Sequence, residues 1–145
     1  MIKSILKQFN ISLLPNNESY RFFINNEFFK AFLIEEQEKD YLNPKINIII
    51  KKKNKDSYIL LNLYFYGKIT LICDITLNKF LFKIDKKEKL NIHFSNYLIK
   101  ESDNNIVIPL YTRNINIAQY IYDSIILMIP IKKIDPKIKK IYIKN

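Results

Sequence analysis

From Lys45 onward the chain alternates apolar and polar residues with a period of two, the spacing that turns every second side chain to one face of a β-strand. Ile46, Ile48 and Ile50 share a face of the segment Lys45 to Lys51, and Asn54-Lys55-Asp56 then supplies turn chemistry. Ile59, Leu61, Leu63 and Phe65 form the next apolar face. Beyond Gly67, Ile69, Leu71, Cys73 and Ile75 alternate with Lys68, Thr70 and Asp74, which predicts a further strand as antiparallel neighbour. Phe80-Phe82-Ile84, Leu90-Ile92-Phe94 and Ile106-Ile108 are shorter candidates. Strands of this kind, with one face buried, assemble into antiparallel sheets.

Helical spacing is rarer. Asn26 is placed to cap a short helix near residues 27 to 33 that contains Phe28, Phe29 and Phe32, with Glu35-Glu36-Gln37-Glu38 in an exposed connection after it. From Ile117 to Met128, the residues Ile117, Tyr120, Ile121, Ser124, Ile125 and Met128 recur at three- and four-residue intervals. Asn116 with Gln119 resembles a capping box, and Pro130 stops the helix. The expected fold is therefore a single α+β domain over residues 1–130, mainly antiparallel sheet with a barrel-like closure as one option. A short N-terminal helix, a C-terminal helix and a basic tail over 131–145 complete it.

Composition changes this picture in two ways. With 145 residues and 48% hydrophobic content the chain is long enough to bury one core. Its formal charge of +10 points towards nucleic acid or another anionic surface. Yet Ile, Lys, Asn, Tyr and Phe make up 88 of the 145 residues, all encoded by A/T-rich codons, so mutation bias accounts for much of the lysine excess. A single cysteine cannot form an internal disulfide or a multi-thiolate metal site and so favours an intracellular setting. The apolar runs are far shorter than the ~20 residues of a membrane span, and the N-terminus lacks a signal-peptide core. The expected compartment is the cytoplasm, and no cofactor is expected.

Catalytic chemistry is sparsely supplied. His93 alternates with Leu90, Ile92 and Phe94 and reads as a solvated strand histidine, with no nucleophile motif beside it. Cys73 lies on an apolar face, where a free cysteine acts as a small hydrophobe. One glycine cannot build a phosphate-binding loop, and Gly67 reads as a bulge or close-packing position. The lysines are more informative in their placement. Residues 51–56 carry +3 and residues 131–145 carry +5. The candidate RNA contacts are therefore Lys51, Lys52, Lys53 and Lys55 with the tail residues Lys132, Lys133, Lys137, Lys139 and Lys140. Tyr58, Tyr64 and Tyr66 could stack on bases or simply pack the sheet.

Several segments taken in order resemble one bacterial family. Lys7-Gln8-Phe9-Asn10-Ile11 followed by Tyr20-Arg21-Phe22-Phe23-Ile24 and Phe28-Phe29 is similar to the opening of the YceD-like proteins, the large ribosomal RNA subunit accumulation proteins, in their Bacteroidetes version. Gly67-Lys68-Ile69-Thr70-Leu71-Ile72-Cys73-Asp74-Ile75-Thr76-Leu77-Asn78-Lys79-Phe80 resembles the family's strand, glycine, strand, Cys-Asp-Arg-Cys-Leu and downstream Phe. The run Ile115 to Pro130 is close to its C-terminal helix with an acidic residue, Leu and Pro. The positions carried by the resemblance are Gly67, Cys73, Leu77, Asp123, Leu127 and Pro130. The chain departs from the pattern at Thr76, where the second Cys would stand, at Ile75 in place of Arg, and at Asp135-Pro136 in place of His-Pro. Asp123 stands where Glu is common and keeps the charge.

The resemblance implies a non-enzymatic factor for the processing or accumulation of large-subunit ribosomal RNA, from an A/T-rich endosymbiont. Its partners would be ribosomal RNA or the pre-ribosomal large subunit, with a ribosomal protein as a further option, and no membrane and no small-molecule substrate. An adaptor that docks a ribosomal protein or nuclease through the helix or a sheet edge is the alternative. A hydrolase using His93 or Asp123 stands third, and would require His93, Cys73 and a carboxylate in one cleft.

Overall fold

The computed structural model describes residues 4–32, 43–97 and 104–138, and within them the fold is mixed α+β and dominated by strands. A 3-10 turn at Ser4–Gln8 leads into β1 (Asn10–Ser12), β2 (Ser19–Ile24) and the short helix α1 (Asn26–Lys30). Three long strands follow, β3 (Lys45–Asn54), β4 (Tyr58–Ile72) and β5 (Lys79–Phe94), then β6 (Asn105–Ile108), β7 (Asn114–Asn116) and the helix α2 (Ala118–Met128). Strands β2-β3-β4-β5-β6 form one sheet in that order, and β1 pairs with β7 in a separate ribbon. The five-stranded sheet is open at β2 and β6, so the described strands form no closed barrel.

The alternation that predicts strands also explains their unexpected length. The chain does not turn back at Gly67, because Ile59, Leu61, Leu63, Phe65, Ile69 and Leu71 keep one parity straight through the glycine. β4 is therefore one strand of 15 residues, flanked by β3 and β5. The two candidates around Phe82 and Ile92 are likewise one strand, β5. Gly67 is the close-packing position and makes no bulge. A Cβ there would stand 2.1 Å from the Lys45 carbonyl oxygen and 2.7 Å from the Ile46 Cα, and its φ of +151° is one that L side chains rarely adopt.

The sheet is mainly antiparallel, as expected, with one parallel edge. β6 runs parallel to β5, with Asn91 opposite Asn105 and Phe94 opposite Ile108. The chain leaves β5 at Phe94 and re-enters the sheet beside Asn91, so it must travel the same way again.

One face of the sheet carries the core. Ile46, Ile48 and Ile50 of β3, the odd-numbered apolar residues of β4, and Ile84, Leu90 and Ile92 of β5 are buried in a single cluster. Leu6, Phe9, Ile11 and Leu13 join it from the N-terminal segment, Phe28 and Phe29 from α1, and Ala118, Ile121 and Ile125 from α2. Asn25, one residue before the expected cap, closes the start of α1, its Oδ1 accepting from the Glu27 and Phe28 amides at 3.1 and 3.4 Å. Phe28 then lies 4.9 Å from Phe9, and Phe32, just past the helix, stacks on Tyr122 at 4.4 Å. The Glu35 to Glu38 connection lies outside the described residues.

The capping box expected on α2 does not form. Asn116 belongs to β7, opposite Asn10, so the helix begins later. The Asn116 Oδ1 accepts only from the Ala118 amide, while Gln119 reaches forward to the Asp123 carboxylate at 2.9 Å. α2 ends before Pro130 as expected, and Ile129 takes the extended conformation a following proline imposes.

Replacing Gly67 with alanine is expected to cost at least ~3 kcal/mol, because the atom it meets is backbone and β3 must part from β4 to admit it. Urea denaturation of Gly67→Ala against the parent measures this, and an unchanged midpoint would refute the close-approach role.

Candidate nucleic-acid interface on the open face of the sheet

The side chains between the buried ones point to the other face, where they are exposed or half-buried. Cross-strand register sorts them into rows. Lys45, Lys68 and Lys83 form one row, and Phe23, Asn47, Tyr66 and Asp85 the next. Arg21, Ile49, Tyr64 and Lys87 follow, then Ser19, Lys51, Asn62 and Lys89, then Lys53, Leu60 and Asn91. Lys79 lies at the far end of β5 on the same face. On β2 to β5 this face carries nine Lys or Arg side chains against Asp85 as its acid.

Aromatic groups occupy the middle. The rings of Tyr64 and Tyr66 are stacked with centroids 5.2 Å apart, and the Lys87 Nζ lies 5.6 Å from the centre of the Tyr64 ring. The Asp85 carboxylate, accepting from the Tyr64 hydroxyl, raises that hydroxyl above the ordinary phenol pKa. Two open grooves meet at Tyr64, one of about 890 Å³ bordered by Lys51, Asn62, Lys87 and Lys89, the other of about 560 Å³ bordered by Phe23, Lys45, Tyr66 and Lys83.

The lysines singled out from the sequence divide. Lys51 and Lys53 point to the open face, and Lys55 is exposed in the β3–β4 turn. Lys52 belongs to neither. It is 1% exposed, and its Nζ donates to the Ser12 and Leu14 carbonyls at 2.7 and 2.9 Å and to the Asn16 Oδ1 at 2.8 Å. Strand parity turns it inward, where burial pulls its ammonium pKa down and Glu18 opposes that shift. Glu18 is itself held below the usual carboxylate range, chiefly by the Tyr20 hydroxyl that donates to it at 2.7 Å. As an RNA contact Lys52 is therefore corrected to a structural cation.

Of the tail, Lys132, Lys133 and Lys137 are described, and Lys139 and Lys140 lie outside the described residues. This segment is docked on the turn after β4. The Asp74 amide donates to the Lys133 carbonyl at 2.6 Å, and the Lys133 amide donates to the Asp74 Oδ2 at 2.8 Å. The hairpin lysines and the tail consequently sit at opposite ends of β4, roughly 45 Å apart along the strand at ~3.3 Å per residue. The lysines of β4 and β5 bridge that distance. Sequence reading missed Lys45, Lys68, Lys83, Lys87 and Lys89, although for all of them the available signal was a parity opposite to that of the buried residues of the same strand, such as Ile46, Ile69, Ile84 and Leu90.

The positions carried by the resemblance have unequal structural roles. Gly67 and Pro130 are explained above. Cys73 is buried, with its sulfur facing the backbone amides of Asp135, Thr76 and Ile75, and these hold its thiol down at about 7 against the opposing effect of burial. Leu77 is 75% exposed at a φ of 63°, and Leu127 is 83% exposed, so burial explains neither. Asp123 is exposed and accepts from Gln119. His93 does face away from the core, but it is half-buried, 5.4 Å from the Tyr58 ring and 2.9 Å from the Asn105 Oδ1. It lies at the opposite end of β4 from Cys73, so the cleft a hydrolase would need does not unite them. Among the described residues no three His, Cys, Asp or Glu side chains gather to hold a metal ion, and no helix is long and apolar enough to cross a membrane.

Comparison of the chain with protein-family models, with curated proteins and with solved structures returns no match.

Two stability tests follow from these sites. Lys52→Met strips the donor from two carbonyls and an amide oxygen, and is expected to cost at least about 2 kcal/mol in denaturant unfolding. A neutral result would mean that the loop from Ser12 to Asn16 does not depend on it. For Cys73, folding lowers the thiol pKa, so the thiolate stabilises the fold increasingly as pH rises from about 7 through the ordinary thiol range, and that contribution is lost as pH falls through 7. The gap between parent and Cys73→Ala midpoints should widen over that window. Parallel curves would show that the amides do not favour the thiolate.

Proposed function

We propose that the protein is a non-enzymatic RNA-binding factor that acts on large-subunit ribosomal RNA or its pre-ribosomal particle in the cytoplasm. The observation that carries the RNA reading is the open sheet face, where cations from four strands border stacked tyrosines and one acid intervenes. A polyanion with planar bases complements such a surface in charge and in its exposed aromatic groups. The choice of large-subunit ribosomal RNA rests on the resemblance of the segments around Gly67-to-Phe80 and Ile115-to-Pro130.

Phosphate contacts release counterions, so binding must weaken with salt, by ~0.7 log units per contact per decade for single strands. Replacing Lys83, Lys87 and Lys89 together with glutamine should lower the salt slope by ~2 and shift the protein out of large-subunit precursor fractions in sedimentation at low salt. A protein that stays at the top of the gradient at every salt concentration would refute the proposal.

The second reading, an adaptor for a ribosomal protein or nuclease, draws support from the exposure of Leu127 at 83% and Ile131 at 99% beside the end of α2. Leu127→Ser separates the two, since an adaptor would leave the particle and an RNA binder would remain.

A further inference from the structure

We infer that the RNA held by this face is an unpaired strand, its bases stacked on Tyr64, Tyr66 and Phe23 and its phosphates met by lysines on two rims. The inference rests on the RNA-binding reading above and specifies its substrate.

The order of the rows carries it. Successive rows lie two residues apart along each strand, about 6.6 Å. The two central rows, Phe23-Asn47-Tyr66-Asp85 and Arg21-Ile49-Tyr64-Lys87, hold the aromatic rings together with an amide and a guanidinium. Lysines dominate the rows outside them. Lys45, Lys68 and Lys83 form one rim, and Lys51 and Lys89 on either side of Asn62 form the other. From the row of Lys68 to that of Asn62 is six residues, about 20 Å. A centre that offers π-faces and hydrogen-bonding groups, edged on two sides by cations, suits bases laid down in the middle with a backbone free to reach either rim.

The centre is also accessible. Phe23, level with Tyr66 across Asn47, is 51% exposed. The two grooves that meet at Tyr64, about 890 and 560 Å³, are within the range that admits a small organic ligand. Lys87 covers one face of Tyr64 with its ammonium 5.6 Å from the ring centre, and its exposed, flexible stem lets it swing aside to admit a base.

A duplex uses this surface poorly. Its bases are stacked inside, and the major groove of A-form RNA is too deep and narrow for side chains to read. A duplex would therefore meet the lysine rims through its phosphates and leave Tyr64, Tyr66, Phe23 and Asn47 without partners. Sheet faces that bind single strands work by the opposite division, with aromatic rings taking the bases and basic groups tracking the backbone.

The test titrates the full chain, at fixed low salt, with a labelled oligoribonucleotide of mixed A and C and with the same strand annealed to its complement. The single strand should bind at least about tenfold more tightly than the duplex. Tyr64→Leu and Tyr66→Leu should each weaken single-strand binding by about fivefold or more, the range for loss of one stacked base. Neither should change the salt slope or duplex binding, and Tyr64→Phe and Tyr66→Phe should retain the parent affinity because the ring remains. Thermal melts of the four variants establish that each is folded. Duplex binding as tight as single-strand binding, or folded leucine variants within twofold of the parent, would overturn the inference while leaving RNA binding intact. Failure of the parent to bind either RNA would overturn the RNA reading and this inference together.

Discussion

The fold depends on keeping one side of β4 out of water. From Ile59 to Leu71 the odd-numbered side chains of this strand are apolar except at Gly67, and a strand of fifteen residues cannot hide them by itself. β3 and β5 extend the dry surface on both sides. The N-terminal segment, the β1–β7 ribbon, α1 and α2 then supply the apolar groups that close over it. Gly67 preserves the arrangement at its tightest point, where β3 begins against it and a side chain would strike the backbone of Lys45 and Ile46.

The same constraint sorts the charge. Period two sends alternate residues to the two faces, so whatever is kept out of the core gathers on the open side. Lys45, Lys51, Lys68, Lys83, Lys87 and Lys89 come together there from three separate strands. Acidic residues close in sequence go elsewhere. Glu88, for instance, has the inward parity and lies 3.4 Å from the Tyr120 hydroxyl, with burial foremost, and the Glu88 carboxylate after it, raising that hydroxyl to about 12. A modest surplus of lysine thereby becomes a strongly biased face. Lys52 is the instructive exception, because parity places its side chain inside the fold and the loop from Ser12 to Asn16 supplies the oxygens that make a buried ammonium tolerable.

At the other end of β4 the chain uses backbone instead of side chains. The turn after Ile72 presents amides to the Cys73 sulfur and binds the segment around Lys133 through Asp74 on both sides of the peptide. The lone cysteine therefore has a structural explanation that needs no second thiol. Leu77 and Leu127 are different, since both project from the surface, and packing does not account for them.

The sequence by itself determined most of the apolar core, because alternation and helical spacing are local and survive a biased composition, although Ile75, given the same face, lies beyond the end of β4 and is 44% exposed. Ile46 to Ile50, Ile59 to Phe65, Ile69 to Cys73 and the α2 residues Ile121 and Ile125 all fall where their spacing places them. It also located the hairpin turn and the stop at Pro130, and left Gly67 between a bulge and the close-packing role that the structure gives it. It did not reveal that β4 and β5 each run unbroken, that β6 lies parallel, that the sheet stays open, or that Lys52 is internal. Nor could it assemble the open face, whose members lie as much as 72 positions apart, from Ser19 to Asn91. Strand order and register decide such neighbours, and these depend on long-range hydrogen bonding and on which surface the helices cover. Periodicity assigns each side chain to a side of its own strand; only the assembled sheet brings those sides together into one surface.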